Sequence, residues 1–378
     1  MLSAEQSAIR DTVRKFVRNE IVPNAVQWDE AGCAPPSLWQ AIGEMGLYGL
    51  CAPEEWGGSN SGIVAWASVV EEVAYGDCAI ANQVGFQSFP FVAKLLEHGT
   101  DRQKAEFMRP VIEGKHYSAL LLTESHAGSD LSTVRTRAVR RGDRWVINGE
   151  KAFITGGDSA GIAILLASTD PSAGKAGMTT FLIHPHQPGY RVVRKEKKLG
   201  HRVVDMCQIA LEDLEVSDEN VLGPVGKGYR IILEGLDTNR IGVAAQAVGV
   251  ARAAYDEALK YAKQRESMGK TLIEHQALGF RLSEMATRIQ AARQLYLHAA
   301  RLKEQTGERV IEASMAKLFA SETAEWVCTN ALQIFGGLGF VQGTPVEKLY
   351  RDQRVLQIYE GTSEVLKLII QRHIAQEG

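Results

Sequence analysis

The chain has 378 residues, 45% hydrophobic and 23% charged. That composition supplies a packed core, and the length exceeds what one core usually serves, so two or three domains are expected. A formal net charge of −3 offers no basic footprint for nucleic acid. The five cysteines, at 33, 51, 78, 207 and 328, have no CxxC spacing and are odd in number, which argues against a disulfide framework. The opening Met-Leu-Ser-Ala-Glu is not laid out like a secretory leader. No apolar run approaches the ~20 residues of a membrane span. A cytoplasmic protein is expected, or one of the mitochondrial matrix if a leader has been removed.

The first third reads as helices. Ser3 and Gln6 have capping-box spacing, and Ile9, Val13, Val17 and Ile21 form one apolar stripe that Pro23 closes. A second helical pattern covers Leu38 to Met45, a Gly57-Gly58 loop follows, and helical material continues to about Gly114.

Near residue 118 the period changes. Arg135 to Arg141 and Trp145 to Ile147 read as strands around a Gly142-Asp143 turn, and Asn148-Gly149 is a strong hairpin signal. Further strands are expected at Ile162 to Ala167, Thr179 to His184, Tyr190 to Val193 and Gln208 to Val216. The helix-sized gaps of a βαβ unit are missing, so this sheet should be mostly antiparallel.

After Pro224 helices return: Tyr229 to Gln264, Ile273 to Gln305 with Gly307 near its C-cap, Glu308 to Phe335, and Thr362 to about Gln376. Four helices after a sheet predict a bundle. The fold class is α+β, mainly α: a helical domain over 1–117, an antiparallel β domain over 118–225 and a four-helix bundle over 226–378. Glycines 228, 235, 242 and 249 recur every seven residues, nearly two helical turns. Interior glycine costs ~1 kcal/mol against alanine, so the stripe predicts close approach to another helix or a ligand.

Several candidate motifs fail. G-x-G-x-x-G is missing, so a Rossmann nucleotide site is not indicated. Gly269-Lys270-Thr271 lacks the earlier glycine of a P-loop, that place being Gln264. His184-Pro185-His186 has no partner ligands at useful spacing and reads as two solvated histidines, so no metal site is expected.

Three stretches could carry chemistry. Leu120 to Asp130 is an apolar run ending in hydroxyls, glycine and carboxylates, which suits either an anionic ligand or an ordinary polar turn. Ala152-Phe153-Ile154-Thr155-Gly156-Gly157 places an aromatic and a hydroxyl beside a glycine pair, fit for a planar ring or for a plain turn. In Tyr359-Glu360-Gly361-Thr362-Ser363-Glu364, Thr362 or Ser363 can cap the last helix, leaving Glu360 in the loop before it. Glu360 is there either a capping charge or a base at the mouth of a cleft.

Taken together these stretches resemble the acyl-CoA dehydrogenase family. Thr123-Glu124…Ala127-Gly128-Ser129-Asp130, Phe153-Ile154-Thr155, Arg265 through His275-Gln276, Gln333-Ile334-Phe335-Gly336-Gly337 and Tyr359-Glu360-Gly361-Thr362-Ser363 match in the family's order, over nearly the whole chain. The resemblance implies FAD bound without a Rossmann domain. Leu120, Leu122, Thr123, Gly128 and Ser129 would line the flavin, with Phe153, Ile154 and Thr155 beside its ring. Arg265, Glu266, Ser267, His275, Gln276, Gln333, Ile334, Gly336 and Gly337 would reach the cofactor from a neighbouring subunit. Thr362, Ser363 and Glu364 would cover its phosphates. Ser129, Asp237, Arg240 and Gly361 would contact an acyl-CoA substrate.

In this resemblance Glu360 removes the α-proton while the β-hydride passes to the flavin, giving the trans-2-enoyl-CoA. The Glu360 N–H and a ribityl hydroxyl would stabilise the enolate-like oxygen. Some relatives carry the base on the first bundle helix, where this chain has Asn239. Ser125-His126 and Phe153 depart from the commoner Pro-Gly and tryptophan, and His126 is expected either to tune flavin contacts or, the favoured reading, to point to solvent. Pocket depth is expected to depend on the helical segment around Phe86, Gln87 and Phe91 and on the first bundle helix. The resemblance also implies a homotetramer, at least a dimer, with an electron-transferring flavoprotein as acceptor. A lyase on the same fold would be expected to lack the glutamate, and a non-catalytic module would be colourless.

Overall fold

The computed structural model describes residues 2–308 and 310–376 and runs helices, sheet, helices. The first block comprises α1 (Ala4–Phe16), α2 (Ala25–Ala31), α3 (Pro36–Glu44), α4 (Gly62–Gly76), α5 (Cys78–Phe86), α6 (Ala93–His98), α7 (Asp101–Gln103) and α8 (Arg109–Ile112). The capping box forms: Ser3 Oγ accepts from Gln6 N at 3.1 Å and Gln6 Oε1 from Ser3 N at 3.0 Å. Val13, Val17 and Ile21 are buried, and the helix runs on through a π-helical turn to Ile21, just ahead of Pro23.

The sheet contains β1 (Ser118–Leu121), β2 (Arg137–Arg141), β3 (Arg144–Thr155), β4 (Ile162–Ser168), β5 (Met178–Ile183), β6 (Tyr190–Lys195), β7 (Met206–Ser217) and β8 (Val221–Leu222). Its order is β6-β7-β3-β2-β4-β5-β8, with β1 beside β4. The pairs β1–β4 and β2–β4 are parallel and the others antiparallel. β4 is buried along its whole length. Ala163, Leu165 and Ala167 face the sheet's own core, and Ile162, Ile164 and Leu166 face a second core shared with Phe91, Leu95 and Phe107 of the first block. A strand covered on both faces loses its alternation, hence the continuous apolar run.

Asn148-Gly149 is not a hairpin turn. The turn is Gly142-Asp143, and β3 continues straight through Asn148, paired to β2 on one side and β7 on the other. Gly149 instead sits in a bulge, at φ +153, where a Cβ would lie 2.6 Å from Thr136 Oγ1. Pairing on both edges overrides the local turn preference.

The last block holds α9 (Gly228–Leu233), α10 (Leu236–Gln264), the hairpin β9 (Glu266–Ser267) and β10 (Lys270–Thr271), then α11 (Gln276–Thr306), α12 (Ile311–Phe335), α13 (Pro345–Gln353) and α14 (Ser363–Ile374). Gly307, at φ +67, closes α11 as expected. The expected single helix over 229–264 is broken: Gly235, at φ +79, caps α10. It is therefore no interior glycine, and only Gly242 and Gly249 form the stripe, both against α4. α12 begins at Ile311 and not Glu308, and α13 is an additional helix. The Gly269-Lys270-Thr271 stretch belongs to the small hairpin. α4 and α5 share one core with α10, α11 and α12, so the first and last blocks are fused while the sheet keeps its own interior. Among the described residues no helix is long and apolar enough to cross a membrane.

Candidate active site

Glu360 lies between a short 3-10 turn (Arg354–Gln357) and α14, with φ +56 followed by Gly361 at φ +94. Two consecutive left-handed residues, the first not glycine, cost free energy and persist only where the surroundings enforce them. Here the enforcement is visible. Arg240 Nε of α10 donates to the Glu360 carbonyl at 3.4 Å, and Lys317 Nζ of α12 donates to the Gly361 carbonyl at 2.6 Å. Arg240 also donates to Ser314 Oγ at 3.3 Å. One residue back, Tyr359 Oη donates to Gln246 Oε1 of α10 at 2.6 Å. Arg240, Glu360 and Gly361 thus come together at one end of α10, whose first turn also carries Asp237. Thr362 caps α14, its Oγ1 accepting from Val365 N at 3.3 Å.

The structure adds two buried lysines that the motifs did not indicate. Lys317 is fully buried, and Lys94 of α6 is nearly so. Lys94 Nζ donates to the carbonyls of Ile231, Ile232 and Glu234 at 2.6, 3.1 and 2.7 Å, closing the α9 end ahead of Gly235. Burial pulls both ammonium groups down to about 8. In each, Glu360 is the largest electrostatic influence holding the charge. The sequence signal was a lysine at a core position of an alanine-rich helix, among Ala313, Ala316 and Ala320.

In the Leu120 to Asp130 stretch, β1 gives way to a tight turn in which Glu124 N and Ala127 O, and Ala127 N and Glu124 O, bond at 3.0 Å each. Glu124 is the internal anchor. Its carboxylate accepts from Arg135 N (2.8 Å), Thr136 N (2.9 Å), Thr136 Oγ1 (2.6 Å) and Lys151 Nζ (3.0 Å). Lys151 also donates to Leu122 O at 3.0 Å. Gly128 and Ser129 are left exposed, while Leu120, Leu122 and Thr123 are half-buried. His126 is exposed, as expected. So are His184 and His186, although His184 stacks on Phe107.

Phe153 sits in a second bulge of β3 with φ +57, and 58% of it is exposed. Ile154 points into the sheet core and Thr155 is half-buried. An aromatic held out in a left-handed conformation suits a planar ligand laid against it. Phe91 is buried in the core between first block and sheet. Gln87 is likewise buried, accepting from Ser118 N and Oγ.

Arg265, Ser267, His275 and Gln276 cluster with Gln333, Ile334, Gly336 and Gly337 at the other end of the bundle. Tyr261, just before Arg265, stacks on Phe335 at 4.3 Å, and His275 Nε2 lies 3.0 Å from Ser267 O. Lys317 and Gln333 stand on the same helix 16 residues apart, which is roughly 24 Å. This cluster is therefore remote from Glu360 within one chain. It is fringed by Met268 and Phe340, 93% and 86% exposed.

Two orphaned polar groups test the fit of cofactor and substrate. Ser363 Oγ is buried at the α14 N-terminus with no partner, a donor and backbone amides ready for an anion. Asp237 is 6% exposed and neither oxygen accepts a hydrogen bond. Lys303 balances its charge from 3.2 Å but aims its donors at the carbonyls of Gly307 and Glu308. The residues present fit a flavin dinucleotide and an amide-bearing thioester.

A helical block, an antiparallel sheet and a helical bundle, with this glutamate loop before the last helix, define the acyl-CoA dehydrogenase family, and the chain belongs to it. Models of the family's N-terminal, middle and C-terminal domains match residues 3–115, 119–214 and 226–375. Its members are flavoprotein oxidoreductases that dehydrogenate acyl-CoA thioesters. Within the family, the chain is 38% identical over 373 residues to an acyl-CoA dehydrogenase of Bacillus subtilis (strain 168), covering 99% of this chain and 98% of that protein. Butyryl-CoA dehydrogenase from Megasphaera elsdenii superposes with a TM-score of 0.96 at 35% identity, covering 99% of both chains. A chain in a solved structure of the electron-transferring flavoprotein of Acidaminococcus fermentans does so with a TM-score of 0.96 at 38% identity, covering 99% of this chain and 98% of that one.

Proposed function

We propose that this protein converts a saturated acyl-CoA to the trans-2-enoyl-CoA with FAD as its flavin, and that Glu360 takes the α-proton. The observation that carries the reading is the Glu360–Gly361 turn, left-handed at both residues, with its two carbonyls tied to Arg240 and Lys317. Backbone held on both sides aims the Glu360 carboxylate and N–H in fixed directions, as proton abstraction and oxyanion stabilisation require. The alternative position on α10 is Asn239, whose amide cannot act as a base.

FAD, when bound, supplies the acceptor for the β-hydride. The rest is work for this chain's own groups. Asp237 offers acceptors to amide N–H groups of the CoA arm, and Arg240, Ser129 and Gly361 border the thioester. Leu120, Leu122, Thr123 and Gly128 line the flavin, with Phe153, Ile154 and Thr155 along its ring. Thr362, Ser363 and Glu364 meet its phosphates at the α14 N-terminus, where the helix dipole favours anions.

Arg265, Ser267, His275, Gln276, Gln333, Ile334, Gly336 and Gly337 serve the cofactor of a second copy. Their roughly 24 Å separation from the Glu360 anchor supports this, as does the exposed apolar fringe. A homotetramer is the assembly that the family resemblance favours. The likeness to a chain in a structure of an electron-transferring flavoprotein supports such a flavoprotein as the electron acceptor.

The test is an anaerobic panel of saturated acyl-CoAs, straight and branched, mixed with the purified yellow protein. Loss of the oxidised flavin band with one chain-length class identifies the substrate. No bleaching with any member overturns the reading.

A further inference from the structure

Lys317 occupies a position where a charge is expensive. It is fully buried on α12, and its stripe neighbours Ala313, Ala316 and Ala320 are small and apolar. A buried ammonium is costly to desolvate, and an apolar side chain of similar volume would serve stability as well or better. Its ammonium donates to the Gly361 carbonyl, 2.6 Å away. A neutral donor would satisfy a carbonyl, so the charge calls for a separate explanation.

We propose that Lys317 is a positioning residue for the reaction: its ammonium fixes the Gly361 carbonyl, and with it the Glu360 backbone, and its charge attracts the Glu360 carboxylate. The proposal rests on Glu360 being the base. Arg240 grips the preceding carbonyl from α10, so the two cations hold the turn from opposite helices. The charged and titratable groups around Glu360 are Lys317 from α12, Arg240 from α10, Lys94 from α6 and Tyr359 beside it. Glu234 and Asp237 act on Lys94, and Glu364 acts on Lys317. The ammonium of Lys317 is brought down to about 8 by burial, then held up by Glu360. It is therefore still largely charged near neutrality.

The experiment follows flavin bleaching by saturating butyryl-CoA in the FAD-loaded protein, from about pH 5.5 to about pH 9. Parent, K317Q, K317R and E360Q are compared. Glutamine keeps a donor for the carbonyl and removes the charge; arginine keeps the charge. K317Q should be slower near neutrality by about 10- to 100-fold, with its acid limb displaced to higher pH. K317R should return the limb toward the parent position. An acid limb of K317Q that coincides with the parent's overturns the proposal, whether or not the rate falls, and so does a limb displaced equally in K317R. E360Q separates the two layers. If it bleaches at the parent rate, the base assignment itself fails; if it is inert while the K317Q limb stays put, only the role of Lys317 fails.

Discussion

Gly249→Ala should destabilise the protein although alanine is the better helix former. A Cβ at 249 would stand 2.3 Å from the Glu71 carbonyl oxygen, 2.7 Å from Ala74 Cβ and 3.0 Å from Tyr75 N. Optimal carbon contacts lie near 3.5–4.0 Å, so α10 and α4 must part by roughly 1 Å. The neighbours are mostly α4 backbone, which no rotamer change can relieve. Overpacking costs ~1–3 kcal/mol, and rigid neighbours place this site at the upper end. Helix propensity returns about 1 kcal/mol. The net loss is ~1–2 kcal/mol, or roughly 1–4 °C in melting temperature for a chain of this size. Moving α4 also disturbs Glu71, whose carboxylate meets Arg252 at 2.6 Å and also Arg293 and Tyr296.

Gly85→Ala is the matched comparison. It lies inside α5, and its Cβ would meet Val70 and Trp66 no closer than 3.6 Å. It should be neutral or stabilising by up to ~1 kcal/mol. Thermal unfolding by circular dichroism, at equal protein concentration and saturating FAD, checks both. A G249A melting point at or above the parent's would refute the close-packing argument.

Four further outcomes are expected. Glu360→Gln should retain bound FAD and lose turnover with every acyl-CoA; a visible spectrum and a bleaching assay check this. If the second flavin cluster serves a neighbour, mixing E360Q chains with R265A/Q333A chains, each inactive alone, should restore activity. For random two-fold pairing the recovery is roughly a quarter of the parent's, measured after exchange of subunits. Burial raises Glu124, but Lys151, Thr136 and two backbone N–H groups outweigh it and hold the carboxyl below its usual range. Its stabilisation is therefore present above about pH 4.3 and lost as pH falls through the lowered folded value. E124Q, which leaves Lys151 buried without its counter-charge, should cost ~3 kcal/mol at pH 7 and distinctly less near pH 3 in urea unfolding. Of the five cysteines, Cys33 alone is exposed, while burial pushes Cys51, Cys78, Cys207 and Cys328 upward. A thiol reagent should modify one cysteine quickly in the native protein and all five after unfolding.

Much of the fold was legible because its cues are local. The capping box of Ser3 and Gln6, the Val13-Val17-Ile21 stripe, the Gly307 stop and the Thr362 cap each depend on residues within a turn or two. Local preference gives way where distant pairing outweighs it. Asn148-Gly149 carries the strongest turn signal in the chain, yet β2 and β7 hold it in mid-strand. Gly235 fits a heptad of glycines but breaks the helix, its place ahead of α10 steadied by Lys94 from a segment 141 residues earlier.

The order helix–sheet–helix and the presence of Glu360 in a loop before the last helix were determined by the amino-acid sequence itself, since hydrophobic period and caps report nearest neighbours along the chain. Whether other helices would grip the Glu360–Gly361 turn was beyond it. That was decided by α6, α10 and α12 meeting around one turn, with Arg240 and Lys317 on its carbonyls and Lys94 within electrostatic reach. Such convergence depends on contacts between groups more than 40 residues apart, and no local period encodes it.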